Sequence, residues 1–341
     1  LQKCVAKAYK YHICFLFIKS PEDLIKYAVG IVTLNLISNL MMWLYIPGYI
    51  VKVDKSQIRP FRDIKVILSL FIPTIAIQIY TIFDKTMLGL FTESSYENGY
   101  YEQAMKVVRM LQLIVTSIAT VMAPRIGYYF ARSEDDKIRE YMIKAYRFVW
   151  FIGIPIALGM IGISDNMVPW FFGTGYEKVK LLLKILPVLT IIIGVSNVTG
   201  IQYLLPTQRQ KILTKTVVAG AIVNFVANLF LIPRLYSVGA AVASVMAEIV
   251  ISALQLWHIK EELNISGIFG TGKNYLVAGI MMLLILRIES SCLSASLVHT
   301  IIMIATGVAV YLGFLIMMRD EDIMNYLRKI KTIISVKYRG K

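Results

Sequence analysis

Long apolar blocks recur along nearly the whole chain, and they constrain its fold more than any motif does. A bilayer core about 30 Å thick is crossed by about 20 apolar residues in a helix. Blocks of this kind occupy residues 24–45, 64–88, 105–123, 148–163, 181–204, 212–232, 238–257, 275–288 and 298–318. A weaker block at 5–18 is interrupted by Lys7, Lys10 and His12, and it brings the expected number of spans from nine to ten. Of the 341 residues, 57% are apolar and 17% charged, against about 45–50% and about 25% in soluble domains. A disordered tail, a secreted disulfide scaffold and most soluble enzymes are thereby excluded. Cys4, Cys14 and Cys292 are too scattered for a disulfide framework or a metal-ligand set. The expected fold class is all-α, a polytopic membrane helix bundle of about ten transmembrane helices.

Basic residues are retained on the cytoplasmic side of a membrane, so their distribution gives an orientation. Lys52, Lys55, Arg59, Arg62 and Lys65 fill the connection after the second block, whereas residues 91–103 hold three acids (Glu93, Glu97, Glu102) and no base. Arg125, Arg132, Lys137, Arg139, Lys144 and Arg147 fill the next connection, and bases crowd again beyond residue 318. This alternation places both ends of the chain in the cytoplasm and calls for an even number of spans. The net charge of +15 follows the same topology, so it implies a bilayer partner and no nucleic acid. Residues 325–341 alternate bases with Ile and Leu, a pattern suited to an amphipathic helix on an anionic leaflet. The chain opens on Leu1 with a weak block, and is expected to be the middle and end of a longer protein.

The sequence carries no phosphate-binding glycine loop, no His pair at metal spacing and no large loop with paired acids. No enzyme and no cofactor is therefore expected, and the informative residues are the polar ones inside the spans, where an ionisable group is costly. Glu248 falls near the middle of the 238–257 block. It reads either as a proton-coupling acid or as a neutral acid bonded to a neighbouring helix. Asp84 lies toward the outer end of its block; beside it, Lys85 reaches the interface, leaving Asp84 to face the interior or to sit in an interfacial ion pair. Asn224 and Asn228 are four residues apart and share a helix face. With Asp84 they form a hard-oxygen set that suits a small cation such as sodium, and Ser244 would add a hydroxyl. The alternative is interhelical hydrogen bonding by the Asn pair. Lys106 and Arg109, three apart, either make an anion-attracting patch or anchor a helix end. Pro73, Pro155 and Pro187 lie inside blocks, as in transporters whose helices bend.

At these residues the sequence resembles the bacterial polysaccharide and oligosaccharide flippases of the multidrug/oligosaccharidyl-lipid/polysaccharide exporter superfamily. The run from Pro73-Thr74-Ile75-Ala76 to Tyr80-Thr81-Ile82-Phe83-Asp84-Lys85-Thr86-Met87-Leu88-Gly89 is similar to the seventh helix of that family. Gly99-Tyr100-Tyr101-Glu102-Gln103-Ala104 and Ala123-Pro124-Arg125-Ile126 follow in the same order. So do Gly200 to Thr207, Asn224 to Asn228, Leu231-Ile232-Pro233 and Gly239-Ala240-Ala241.

The resemblance implies two six-helix lobes around a cavity, with two trailing helices. On that plan residues 1–46 are the last two helices of the first lobe and 47–63 a basic cytoplasmic linker. Residues 64–257 form the second lobe, 258–318 the trailing helices and 319–341 a basic tail; four preceding helices would be missing. The implied function is cation-coupled alternating access in the bacterial inner membrane, turning over an undecaprenyl-diphosphate-linked glycan. Asp84, Asn224, Asn228 and Ser244 would hold sodium or, with Glu248, couple to protons, and Lys106 and Arg109 would receive the pyrophosphate. A glycan polymerase would be a partner. The rival readings are a drug exporter of the same superfamily, a membrane enzyme of glycan assembly and an inactive scaffold.

Overall fold

A computed structural model describes residues 23–44, 46–49, 61, 64–92, 94–263, 265–320, 322–325 and 328. The block at 5–18 and most of the basic linker and basic tail lie outside the described residues. The described chain is helical, with no strand. It divides into two compact units, Leu1–Ile64 and Lys65–Lys341. The first contains α1 (Leu24–Trp43) and a 3₁₀ turn (Ile46–Tyr49).

Apart from Ile64, which α2 shares with the first unit, the second unit holds α2 (Ile64–Phe91), α3 (Ser95–Thr116), α4 (Ala119–Ala131), α5 (Asp135–Phe148) and α6 (Ile154–Phe171). It continues with α7 (Glu177–Ile185), α8 (Val188–Asn197), α9 (Gln210–Leu235), α10 (Ser237–Ile259), α11 (Ile265–Gly270), α12 (Lys273–Cys292) and α13 (Leu297–Met317). Seven continuous helical stretches among the described residues are long and apolar enough to cross a membrane. α1 and α2 fall on the first two clear blocks of the sequence.

The helices outrun the apolar blocks. Of residues 91–103, expected as a loop, Phe91 ends α2 and 95–103 are the first turns of α3. Residues 124–147 are likewise helical except for a turn at 132–134. The physical reason is that polar residues continue a helix once it leaves the hydrocarbon, and only the apolar middle is visible to hydropathy. Two expected breaks are present. Pro187 follows the end of α7 and precedes α8, and Pro155 sits in the first turn of α6 directly after a π-turn at Val149–Gly153. A second π-turn, Val198–Leu204, follows α8. Pro73 lies within α2, which runs through it.

Helix–helix association in a membrane rests on close packing of small residues, because lipid is as apolar as the helix faces. α9 and α10 form the tightest pair, joined by a single residue, Tyr236, whose φ of 55° reverses the chain. Beside this turn, a Cβ on Gly239 would lie 2.4 Å from the Leu231 carbonyl oxygen, so the backbones approach too closely for any side chain. Further along, a Cβ on Gly220 would meet Ile251 Cγ1 at 2.3 Å. Gly279 of α12 receives Ile154 of α6, and Gly162 of α6 receives Leu286 of α12. By contrast, a Cβ on Gly99 in α3 would meet nothing within 4 Å.

Gly239→Ala is therefore expected to destabilise the unit by about 1–3 kcal/mol, the cost of overpacking against a fixed neighbour. Gly99→Ala is expected to be neutral or to gain up to about 1 kcal/mol. Thermal unfolding of the two variants in one detergent checks both.

Candidate functional site

Near the last turns of helix α2 stand a half-buried base and a buried acid. Lys85 pairs with Glu102 of α3 at 2.5 Å, and the Lys85 carbonyl accepts from Asn98 Nδ2 at 3.0 Å. The neighbouring Asp84 turns the other way and is 3% exposed. A carboxylate inside an apolar bundle requires donors, since burying it unpaired is costly. Asn228 Nδ2 of α9 donates to Asp84 Oδ1 at 2.6 Å. Ser244 Oγ of α10 and the Tyr101 hydroxyl of α3 both donate to Oδ2, at 2.8 and 2.9 Å. Asn228 also donates to Asn224 Oδ1 at 3.1 Å, the contact expected of two amides one helical turn apart. Four helices thus meet at one carboxylate.

The structure brings Asp84, Asn224, Asn228 and Ser244 together, all buried. Sequence reasoning missed Tyr101, which is 1% exposed and touches both Asp84 and Ser244. Its spacing was the available signal: Glu97, Tyr101, Ala104, Met105 and Val108 are all buried and fall on one helical face. Also missed was Glu97, read as a loop acid. It is buried, accepts from the backbone N–H and hydroxyl of Ser237 at 3.2 and 2.6 Å, and pairs with Lys178. A carboxylate at the start of α10 is favoured there by the helix dipole and by otherwise unpaired N–H groups.

Contacts along α3 and α10 advance in the same direction. Glu97 meets Ser237 and Tyr101 meets Ser244, so the two helices run parallel, joined at this end by polar rungs. Beyond Tyr101 a cavity of about 280 Å³ opens, with Asp84 and Ser244 at its head. Met105, Arg109 and Gln112 of α3 face Glu248, Ile251 and Gln255 of α10 across it. Ser196 and Asn197, just before the second π-turn, add polar groups, and Ile201 within it adds an apolar one. π-turns are frequent at functional sites because they re-aim side chains. Glu248 is buried in this lining. Arg109 reaches the cavity, but Lys106 is exposed and lies outside its lining. Both bases are exposed and lie three residues apart on the helix, and of the two only Arg109 lines the cavity.

Among the described residues no three His, Cys, Asp or Glu side chains cluster in a way that could hold a metal ion. The oxygen-rich group inside the bundle is the Asp84 node. Asn228 Oδ1 and Asn224 Nδ2 are buried there without a hydrogen-bond partner.

These features define a helical membrane protein with a polar cavity inside an apolar bundle. Residues 27–181 match the family described as polysaccharide biosynthesis protein. The chain is 23% identical over 266 residues to a Shigella dysenteriae protein named "Putative O-antigen transporter", covering 75% of this chain and 64% of that one. It is 23% identical over 186 residues to a Haloferax volcanii protein named "Probable low-salt glycan biosynthesis flippase", covering 54% of this chain and 39% of that one. The fold is shared with the lipid II flippase MurJ in an inward-closed conformation, with a TM-score of 0.67, 18% identity and coverage of 93% of this chain and 66% of that one. The chain therefore spans less than two thirds of the length of these relatives. The chain is thus similar, at 23% identity, to proteins named as an O-antigen transporter and a glycan biosynthesis flippase.

Tyr101→Phe removes one donor from Asp84 and one contact from Ser244 without changing the volume of the ring. A loss of about 0.5–2 kcal/mol in thermal unfolding is expected, with Tyr100→Phe, on the next position of the helix, near neutral.

Proposed function

We propose that this protein turns a lipid-linked oligosaccharide or polysaccharide repeat unit across the bacterial cytoplasmic membrane by cation-coupled alternating access, with no covalent chemistry. The observation that carries this reading is the Asp84 carboxylate, held between four helices at the head of a polar cavity. A cation bound there would add attraction between α2, α9 and α10, and its release would let them part. Binding energy that differs between two arrangements is what shifts their populations.

The donor set fits a small hard cation. Turning the Asn228 amide about its last torsion exchanges Nδ2 for the unpartnered Oδ1. Asp84, Asn224 and Asn228 would then present oxygens to a sodium ion, with Ser244 beside them. A proton on Asp84, or on Glu248 further along the cavity, would serve the same cycle. Arg109 would receive the pyrophosphate of an undecaprenyl-diphosphate carrier, since a guanidinium pairs well with phosphate. Lys106, outside the lining, is given the smaller part. The glycan would occupy the hydrated cavity, and a glycan polymerase would consume the flipped unit. The basic connections support both chain ends being cytoplasmic.

A second reading, export of a small cationic molecule, draws on Asp84 and Glu248 both lining the cavity against the single base Arg109. Lipid-linked glycan turnover in reconstituted full-length protein separates the two. We expect Asp84→Asn to lower turnover at least about tenfold, a loss of about 1.4 kcal/mol or more, and to flatten its dependence on sodium or pH. Arg109→Gln should weaken substrate binding more than Lys106→Gln. Unchanged turnover in Asp84→Asn overturns the coupling site, and dye efflux without glycan turnover favours the second reading.

A further inference from the structure

A second cavity, of about 440 Å³, shares no residue with the one headed by Asp84. Met122 of α4 and Phe148 of α5 give it apolar walls, and Lys144, Arg147 and Asp322 give it charge. Lys144 and Arg147 stand three residues apart at the end of α5, where bases also complement the helix dipole. Lys144 is held at 2.6 Å by Glu140 on the same helix and stays about half exposed. The Arg147 guanidinium donates to Asp322 Oδ1 at 3.2 Å, yet its Nε is buried without an acceptor. Asp322 Oδ2 accepts from the Tyr275 hydroxyl at 2.8 Å, so this acid keeps a donor when Arg147 turns to another partner.

An arginine with an unused N–H, a neighbouring lysine and apolar walls together match a phosphate that carries a hydrocarbon chain. Guanidinium forks suit phosphate oxygens, and basic pockets between membrane helices recognise anionic headgroups. A free phosphate would have no use for Met122 and Phe148. We propose that this pocket binds the headgroup phosphate of an anionic phospholipid, with Arg147 and Lys144 on the phosphate and Asp322 as the competing internal anion. The site is independent of what the Asp84 cavity carries.

The test titrates the purified full chain, in a neutral detergent, with short-chain phosphatidylglycerol, phosphatidylcholine or inorganic phosphate. Native mass spectrometry counts retained lipid, and thermal unfolding reads stabilisation. Phosphatidylglycerol is expected to be retained and to raise Tm by about 3 °C or more, because a ligand that binds only the folded state stabilises it. Phosphatidylcholine and phosphate at equal concentration should give little. Arg147→Gln should weaken phosphatidylglycerol binding about tenfold, or about 1.4 kcal/mol. Arg234→Gln, which removes a base bonded to Phe230 of its own helix, should leave it unchanged. Asp322→Asn, which removes the competitor, should strengthen it, and this arm decides the matter if Arg147→Gln does not fold. Equal binding of phosphatidylcholine, equal stabilisation by inorganic phosphate, wild-type affinity in Arg147→Gln, or no gain in Asp322→Asn each overturns the proposal.

Discussion

A single carboxylate in an apolar bundle organises this protein. Lipid offers Asp84 no hydrogen bonds, so the fold must supply them, and it does so from three other helices. Each donor fixes its own helix: Tyr101 sets the rotation of α3, Asn228 that of α9, and Ser244 that of α10. Any rearrangement of these helices must either carry the whole node along or offer Asp84 something in exchange. Under the proposed alternating access, that constraint makes the node a point of control.

The cavity follows from the same contacts. Polar rungs hold α3 and α10 together near their N-termini, through Glu97 with Ser237 and Tyr101 with Ser244. Past the second rung, Arg109 and Gln112 of α3 and Glu248 and Gln255 of α10 line one cavity. On the other side of α10, Gly220 and Gly239 let α9 approach to backbone contact. The bundle is thus tight where small residues meet and open where long polar ones do. Close packing gives it rigidity, and the polar lining is where the proposed function would place a hydrated substrate.

Much of this was legible in the sequence. Hydropathy locates the helix middles, because crossing a bilayer imposes a length and a composition. The i, i+4 spacing of Asn224 and Asn228 and the in-span position of Asp84 identify the polar node, since such residues have few places to go in lipid. Helix ends were not legible, because the polar turns of α3 and α5 look like loops once they leave the hydrocarbon. Tyr101 was hidden for a related reason: a tyrosine near a span end reads as an interfacial anchor, and only the packing of α3 on α10 turns its hydroxyl onto Asp84. The division between Arg109 in the cavity and Lys106 outside it depends on the rotation of α3, which neighbouring helices set.

The most direct test of the node is a double-mutant cycle between Asp84 and Asn228, using Ala at each position and thermal or denaturant unfolding in one detergent. If the two side chains are bonded inside the bundle, their interaction energy should be about 1 kcal/mol or more, at the upper end of hydrogen bonds measured between membrane helices. Losses that add within about 0.3–0.5 kcal/mol would mean the two residues are independent. Asp84 would then not be held by α9, and the control assigned to this node would have no physical basis.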